Sequence, residues 1–387
     1  MYLNNYEERA LEGEYGEALE IAYRILSSIG RLTGASHLIK ISSAHVSGVS
    51  YSTIGDYGKD FLENVSLKAR VSVPTTVNPA GLDAQNPYDF NLDNDYISEQ
   101  TKIIEAYKRL GVVESFTCTP YEGFYLPPKG SHVSWAESSA SIYANSILGL
   151  MTNRESALSA LASAITGKTP YSELHIDELR KPNLSIRIKI DKFSGSVKFG
   201  LLGYFAGKIT RGTIAFQNIK NLNSSEAKAI CAAIGTSGAS GMFTMNDDMN
   251  KIERIDFTNY ELKDVYDELN DVEKGDVIIL GCPHLNVDEI NEISEFIGDK
   301  KLNKKCLIFC SRKTYEEAKR KGYINKIEKA GAKFICNTCA VFTPIISSLE
   351  VERIATNSCK AAHYIKRFHK VKINLKDSNE ILKESFK

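Results

Sequence analysis

The first apolar repeat has helical spacing. Leu11, Ala18, Leu19, Ala22, Ile25 and Leu26 recur through residues 6–29. HLIKISSAHVSG (37–48) then predicts a strand running into a polar loop, and DYGKDFLENVS (56–66) a short helix. ARVSVPTTVNPAGLD (69–83) predicts a strand and loop, and NDYISEQTKIIEAYKRLG (94–111) an amphipathic helix. VVESFTCTPYEG (112–123) is strand-like up to Cys118. Helices are expected over WAESSASIYANSILGLMT (135–152) and ESALSALASAITG (155–167).

The pattern changes near residue 182. In NLSIRIKID, Leu184, Ile186, Ile188 and Ile190 share one face and Ser185, Arg187 and Lys189 the other, which predicts a half-exposed strand. From about 273 strands and helices alternate: DVIILG, VDEINEISEFIG, KCLIFC, TYEEAKRKG, AKFICNTC. That alternation predicts a small parallel sheet. The terminal DSNEILKESFK is expected to be a surface helix or a frayed tail. The expected class is therefore α/β with several lobes: residues 1–181 with an N-terminal helix, 182–272 as a middle lobe or insertion, and 273–387 as a C-terminal parallel α/β lobe.

Within the last lobe, Val277–Leu280 reads as a fully buried strand, and Asn286 with Glu289 as a helix N-cap and its box partner. Cys282 and His284 are then expected in a loop between a strand's carboxyl end and a helix's amino end. Open α/β sheets place ligand sites there.

Composition narrows the classes. The 387 residues are 43% hydrophobic and 25% charged, ordinary for a chain with a sizeable core. Lysine plus arginine and aspartate plus glutamate number 48 each, so no global basic field makes nucleic acid a default partner. No apolar run is long enough for a bilayer, and the acidic, polar N-terminus lacks a signal-peptide layout. The expected location is cytoplasmic, without a membrane partner.

Eight cysteines in a signal-free chain argue against a disulfide framework. Each is a buried hydrophobe, a reactive thiol or a metal ligand. Cys306 and Cys310 flank a strand and read as core. Cys336-Asn-Thr-Cys339 is a lone CxxC, and a four-cysteine zinc site wants a second close pair. Cys118, Cys282 and Cys339 each lie at or just beyond a strand's end. Three such thiolates can converge on a cubane-type iron–sulfur cluster and leave one iron free for a substrate hydroxyl. Burial as separate hydrophobes is the alternative for each.

Eight segments taken in order resemble aconitase X, a branch of the aconitase superfamily. They are SSAHVSGVSYSTIGDYGKDFL (42–62), PTTVNPAGLD (74–83), CTPYEG (118–123), WAESSASIYANSILGLMTNRE (135–155), TSGASGMF (236–243), GCPH (281–284), NTC (337–339) and ATNSCKAAHY (355–364). The resemblance implies aconitase-like three-layer αβα domains and a 4Fe-4S cluster, sometimes isolated as 3Fe-4S, on Cys118, Cys282 and Cys339. The chain stops at Lys387, which leaves no room for the small swivelling domain that the single-chain, cis-3-hydroxyproline-dehydratase-like branch carries. It therefore resembles the large subunit of the two-subunit branch. That branch dehydrates mevalonate 5-phosphate to trans-anhydromevalonate 5-phosphate in a modified mevalonate route to isoprenoids, with a separate small subunit carrying the swivelling domain and the catalytic base. Two departures stand out: Leu150-Met151 where Ala-Arg is expected, and Cys359 where a small residue is expected.

The matched segments supply candidate contacts to a small phosphorylated hydroxy acid. These are Ser43, His45, Thr76, Asn78 and Asp83, then Ser138, Ser139 and Asn145 beside Glu137 at a helix start, with Arg154 and Lys360 as anion clamps. Structural hydrogen bonding, capping and surface solvation are their alternatives. His284 and His363 are candidate donors near cluster sulfurs. TSGASG (236–241) is a candidate phosphate nest without a P-loop lysine. Rival classes are another hydroxy-acid dehydratase, an iron-sensing RNA-binding protein and a zinc-stabilised scaffold.

Overall fold

The computed structural model describes residues 1–246 and 252–387. Three parallel sheets organise the chain. The first orders Thr75–Val77, Ala44–Val46 and Ser134–Trp135, beside an antiparallel pair of Leu38–Lys40 with Lys168–Pro170. The second orders Phe243–Met245, Ile214–Gln217, Leu184–Ile188 and Glu253–Phe257. The third has five strands: Ala332–Cys336, Lys305–Cys310, Val277–Leu285, Arg353–Thr356 and Lys372–Leu375.

The third sheet is buried on both faces, which is why its strands read as unbroken apolar runs. Ile279, Leu307, Phe309, Ile335, Ile354 and Ile373 enter one core with the helix Cys359–His369 and the second lobe's helix Ser196–Ile209. Ile278, Leu280, Cys306, Ile308, Cys310 and Phe334 enter the other with the helices Val287–Ile297 and Tyr323–Lys329. This is an αβα sandwich, and one of its faces is shared between lobes.

Several expectations are corrected. Residues 6–29 form two helices, Asn5–Leu11 and Glu17–Leu32. The short helix expected at 56–66 runs Tyr51–Lys68, with non-helical Gly55 inside it. No regular strand forms over 112–123: Val113 makes one isolated bridge to Thr76, and Phe116 turns the chain at φ 38°. The helix expected through 152 is α-helical only over Ser138–Tyr143. It widens to a π turn over Ala144–Leu148 and stops at Gly149. Leu184–Ile188 is an interior strand of its sheet, and within it Ser185 is buried and only Arg187 is exposed. The terminal helix Ser378–Lys383 is docked rather than frayed. Ile381 and Leu382 sit in the core, and Phe386 bridges back to Leu302.

The strand Val277–Leu285 continues through the GCPH segment instead of ending in a loop. Its ladder to Lys305–Cys310 shifts register between Leu280 and Leu285. Gly281 sits at φ 98°, and a Cβ there would collide with the Phe309 backbone. Only glycine permits this bulge, and the bulge re-aims Cys282. The Cys282–Pro283 peptide is cis. The helix cap is as expected: Asn286 Oδ1 accepts from the Glu289 N–H at 2.9 Å, and the Glu289 carboxylate accepts from the Asn286 N–H at 2.8 Å. No helix among the described residues is long and apolar enough to cross a membrane.

Candidate functional site

Cys118, Cys282 and Cys339 line one cavity of about 400 Å³. They are also the three cysteines that keep partial exposure, while the other five are buried. The segment around Cys118 belongs to the first lobe. Cys282 stands on the bulged central strand of the third sheet, and Cys339 lies just past the end of the edge strand Ala332–Cys336, two places away. His284 joins the three. Its backbone N–H donates to Cys118 Sγ at 3.2 Å, its Nε2 donates to the Thr338 carbonyl at 2.8 Å, and its Nδ1 meets Thr117 Oγ1 at 3.2 Å. Cys339 Sγ accepts from the Val341 N–H at 3.3 Å, and the Cys339 N–H reaches the Ala80 carbonyl of the first lobe at 3.4 Å.

Burial pushes all three thiols up, Cys282 to about 12. Lys360 pulls each back and Glu137 pushes each further, so all three feel the same pair of charges. Neutral, desolvated thiols are poor nucleophiles but become thiolates when a metal replaces the proton.

Among the described residues, no three His, Cys, Asp or Glu side chains converge closely enough to share one metal ion. The described residues therefore build no mononuclear zinc site. The CxxC splits: Cys336 is buried, with its thiol hydrogen-bonded to Cys310, and Cys339 faces the cavity. Three sulfur donors around a roomy cavity fit a polynuclear iron–sulfur unit instead. Cys359 does not line this cavity. It is buried, with its sulfur against Gly200.

The cavity's charged pair is Lys360 Nζ with Glu137 Oε1 at 2.5 Å, each side chain 12% exposed. Burial drives the Glu137 carboxyl up, but Lys360 and Asn78 outweigh it and hold it at about 2. Lys360 is raised despite its own burial, chiefly by Glu137. Asn78 Nδ2 donates to Glu137 Oε2 at 2.8 Å, which leaves Asn78 Oδ1 to accept from His45 Nε2 at 2.7 Å. His45 Nδ1 then accepts from the Thr76 hydroxyl at 2.8 Å. Burial lowers His45 to about 4, so the ring is neutral and the chain of bonds runs one way.

The structure brings together some of the expected contacts. Asn78, Ser138 and Lys360 line the cavity. His45 and Thr76 stand behind Asn78, and Ser139 donates to Glu137 at 3.1 Å. Five expectations are displaced. Ser43 Oγ is buried and accepts from Trp135 Nε1. Asn145 spends its amide on Thr152, Gly241 and Arg180. Asp83 pairs with Arg312 at 2.6 Å. Arg154 donates to the Gly235 carbonyl and to the Gly238 carbonyl within TSGASG, so this cation is spent on helix-end carbonyls. His363 bonds the Tyr204 hydroxyl. At the Leu150-Met151 departure, Leu150 is fully buried against Trp135.

The sequence reading missed Glu137 as Lys360's partner. It also missed Ser47, Ser50, Thr53, Phe342 and Tyr364 in the lining. Ser47, Ser50 and Thr53 lie inside the first matched segment, and Tyr364 closes the last.

Comparison with known proteins identifies the family. The chain matches models of the aconitase X first domain over residues 1–178, second domain over 182–267 and third domain over 275–387. It is 43% identical to the phosphomevalonate dehydratase large subunit of Methanocaldococcus jannaschii, covering 99% of this chain and all of that one. A cis-3-hydroxy-L-proline dehydratase of Hypocrea jecorina is 29% identical, and the match covers 65% of its length. A crystal structure of Thermococcus kodakaraensis aconitase X in its holo-form superposes with a TM-score of 0.93 at 38% identity, covering both chains fully. The chain belongs to the aconitase X family.

Proposed function

We propose that this chain is the large subunit of a phosphomevalonate dehydratase. It is a hydro-lyase that converts mevalonate 5-phosphate to trans-anhydromevalonate 5-phosphate in the modified mevalonate route to isoprenoids. The observation that carries the reading is the convergence of three partly exposed thiols and one buried Lys–Glu pair on a single cavity, in a chain 43% identical along its length to a phosphomevalonate dehydratase large subunit.

Cys118, Cys282 and Cys339 hold a 4Fe-4S cluster, which supplies Lewis acidity toward the departing hydroxyl when bound. This chain's own residues do the rest. Lys360 keeps its proton and sets positive potential where negative charge grows as the α-proton leaves. Glu137 fixes the ammonium, and Asn78 and Ser139 fix Glu137. Phe342 and Tyr364 form an aromatic part of the wall that limits water.

Glu137 is a poor base, because it is held at about 2 and fully engaged. The large-subunit names of the relatives support a separate small subunit, and on the family resemblance we assign the base to its swivelling domain.

The test is an anaerobic assay on mevalonate 5-phosphate with and without the small subunit, with iron and sulfide counted. Dehydration that needs both chains and the cluster supports the reading. Substantial turnover by the large subunit alone refutes the assignment of the base. Turnover of cis-3-hydroxy-L-proline in place of the phosphate ester refutes the assignment of substrate.

A further inference from the structure

A lysine that matched none of the expected motifs holds two of the cysteine-bearing segments together. Lys228 lies on the helix Ser224–Ser237, and its side chain is 2% exposed. Its Nζ donates to the His284 carbonyl at 2.8 Å and pairs with Glu289 Oε2 at 2.5 Å and Glu122 Oε1 at 3.4 Å. Glu122 is four residues past Cys118. His284 is two past Cys282, and Glu289 caps the helix that follows it. Asn286 Nδ2 crosses the same gap to Glu122 Oε1 at 3.1 Å.

A buried ammonium has to find acceptors, and this one finds them on both sides of the seam. Nothing else in the helix needs a lysine here. Its neighbours Ala227, Ile230 and Cys231 are packed core.

We infer that Lys228 is a positioning residue for the metal centre. It fixes the spacing between the Cys118 and Cys282 segments and so governs how firmly the cluster is retained. Groups behind metal ligands orient those ligands, and their loss typically weakens metal binding about 10- to 100-fold. Lys228 does not line the cavity the three thiols share; it borders a narrow adjoining cavity beside Cys282 and acts through the backbone that carries the sulfurs. This inference rests on the reading of the three thiols as cluster ligands.

The test uses the anaerobically reconstituted protein with its small subunit and follows iron loss to a chelator. The electron paramagnetic resonance signature of the dithionite-reduced cluster is recorded in parallel. Lys228→Met is expected to release iron about 10-fold faster or more and to shift that signature. Asn286→Ser keeps an N-cap oxygen but loses the amide bridge to Glu122. It is expected to release iron about threefold faster, while its metal-free form stays folded. If Lys228→Met fails to fold, Asn286→Ser decides alone.

Iron loss at the unaltered rate in the folded variants, with an unchanged signature, overturns the tether and leaves the ligand assignment standing. An unaltered protein that takes up no iron and sulfide overturns both.

Discussion

The backbone N–H of His284 donates to the sulfur of Cys118 at 3.2 Å, across 166 positions of sequence. The same residue's ring spans Thr117 and the Thr338 carbonyl. One side chain thus registers the first lobe against two strand ends of the third sheet. His284→Ala strips a buried carbonyl and a buried hydroxyl of their partner. The expected cost is about 2 kcal/mol, read as a lower urea midpoint of the metal-free protein. An unchanged midpoint would mean that the registration is held elsewhere.

The Lys360–Glu137 pair gives a second prediction. Glu137→Gln leaves a buried ammonium without its counter-charge, and Lys360→Met leaves a buried carboxylate. Each is expected to cost about 3 kcal/mol. The double variant should cost clearly less than the sum, because it leaves no charge stranded. A double-mutant cycle by urea unfolding checks this, and strict additivity contradicts it.

Acid sensitivity follows from buried histidines. Burial holds His45 at about 4 and His175 at about 3, against an ordinary value of 6.5. Both stay neutral in the fold while the unfolded chain takes up protons. Their contribution is full above pH 6.5 and is lost as pH falls from 6.5 toward 4, about 3 kcal/mol for His45 alone. Unfolding free energies of the metal-free protein at pH 7 and pH 4.5 test this. His45→Asn should flatten the dependence, and an equally steep loss in that variant would assign it to other groups.

Much of the third lobe was legible because its signals are local. Val277–Leu280 is a contiguous apolar run, and Asn286 and Glu289 sit at box spacing. What escaped was set by distant partners. The segment before Cys118 is shaped by Ser115 and Thr117 bonding Val77, and by His284, so no period marks it. The bulge that keeps GCPH in a strand depends on Gly281 passing close to Phe309, a neighbour 28 positions away. Arg154 is a cation in a matched motif, yet its acceptors are carbonyls at the end of another lobe's helix. The order of matched segments singled out the thiols, and long-range geometry alone could place the charges around them.

Cys359 is a control supplied by the fold. It is buried against Gly200 and is not part of the lining of Lys360's cavity. Cys359→Ala should keep full iron and sulfide and lose about 1 kcal/mol of stability for the small void. Iron lost on that substitution would make Cys359 a ligand.

The most direct measurement is iron and acid-labile sulfide per chain after anaerobic reconstitution of single Cys→Ser variants. Cys118→Ser, Cys282→Ser and Cys339→Ser should each lose the cluster, or hold it only in an altered, labile form. Cys306→Ser, Cys336→Ser and Cys359→Ser should retain the unaltered protein's content wherever they fold. Full, spectroscopically unchanged content in any of the first three would contradict the three-thiol site.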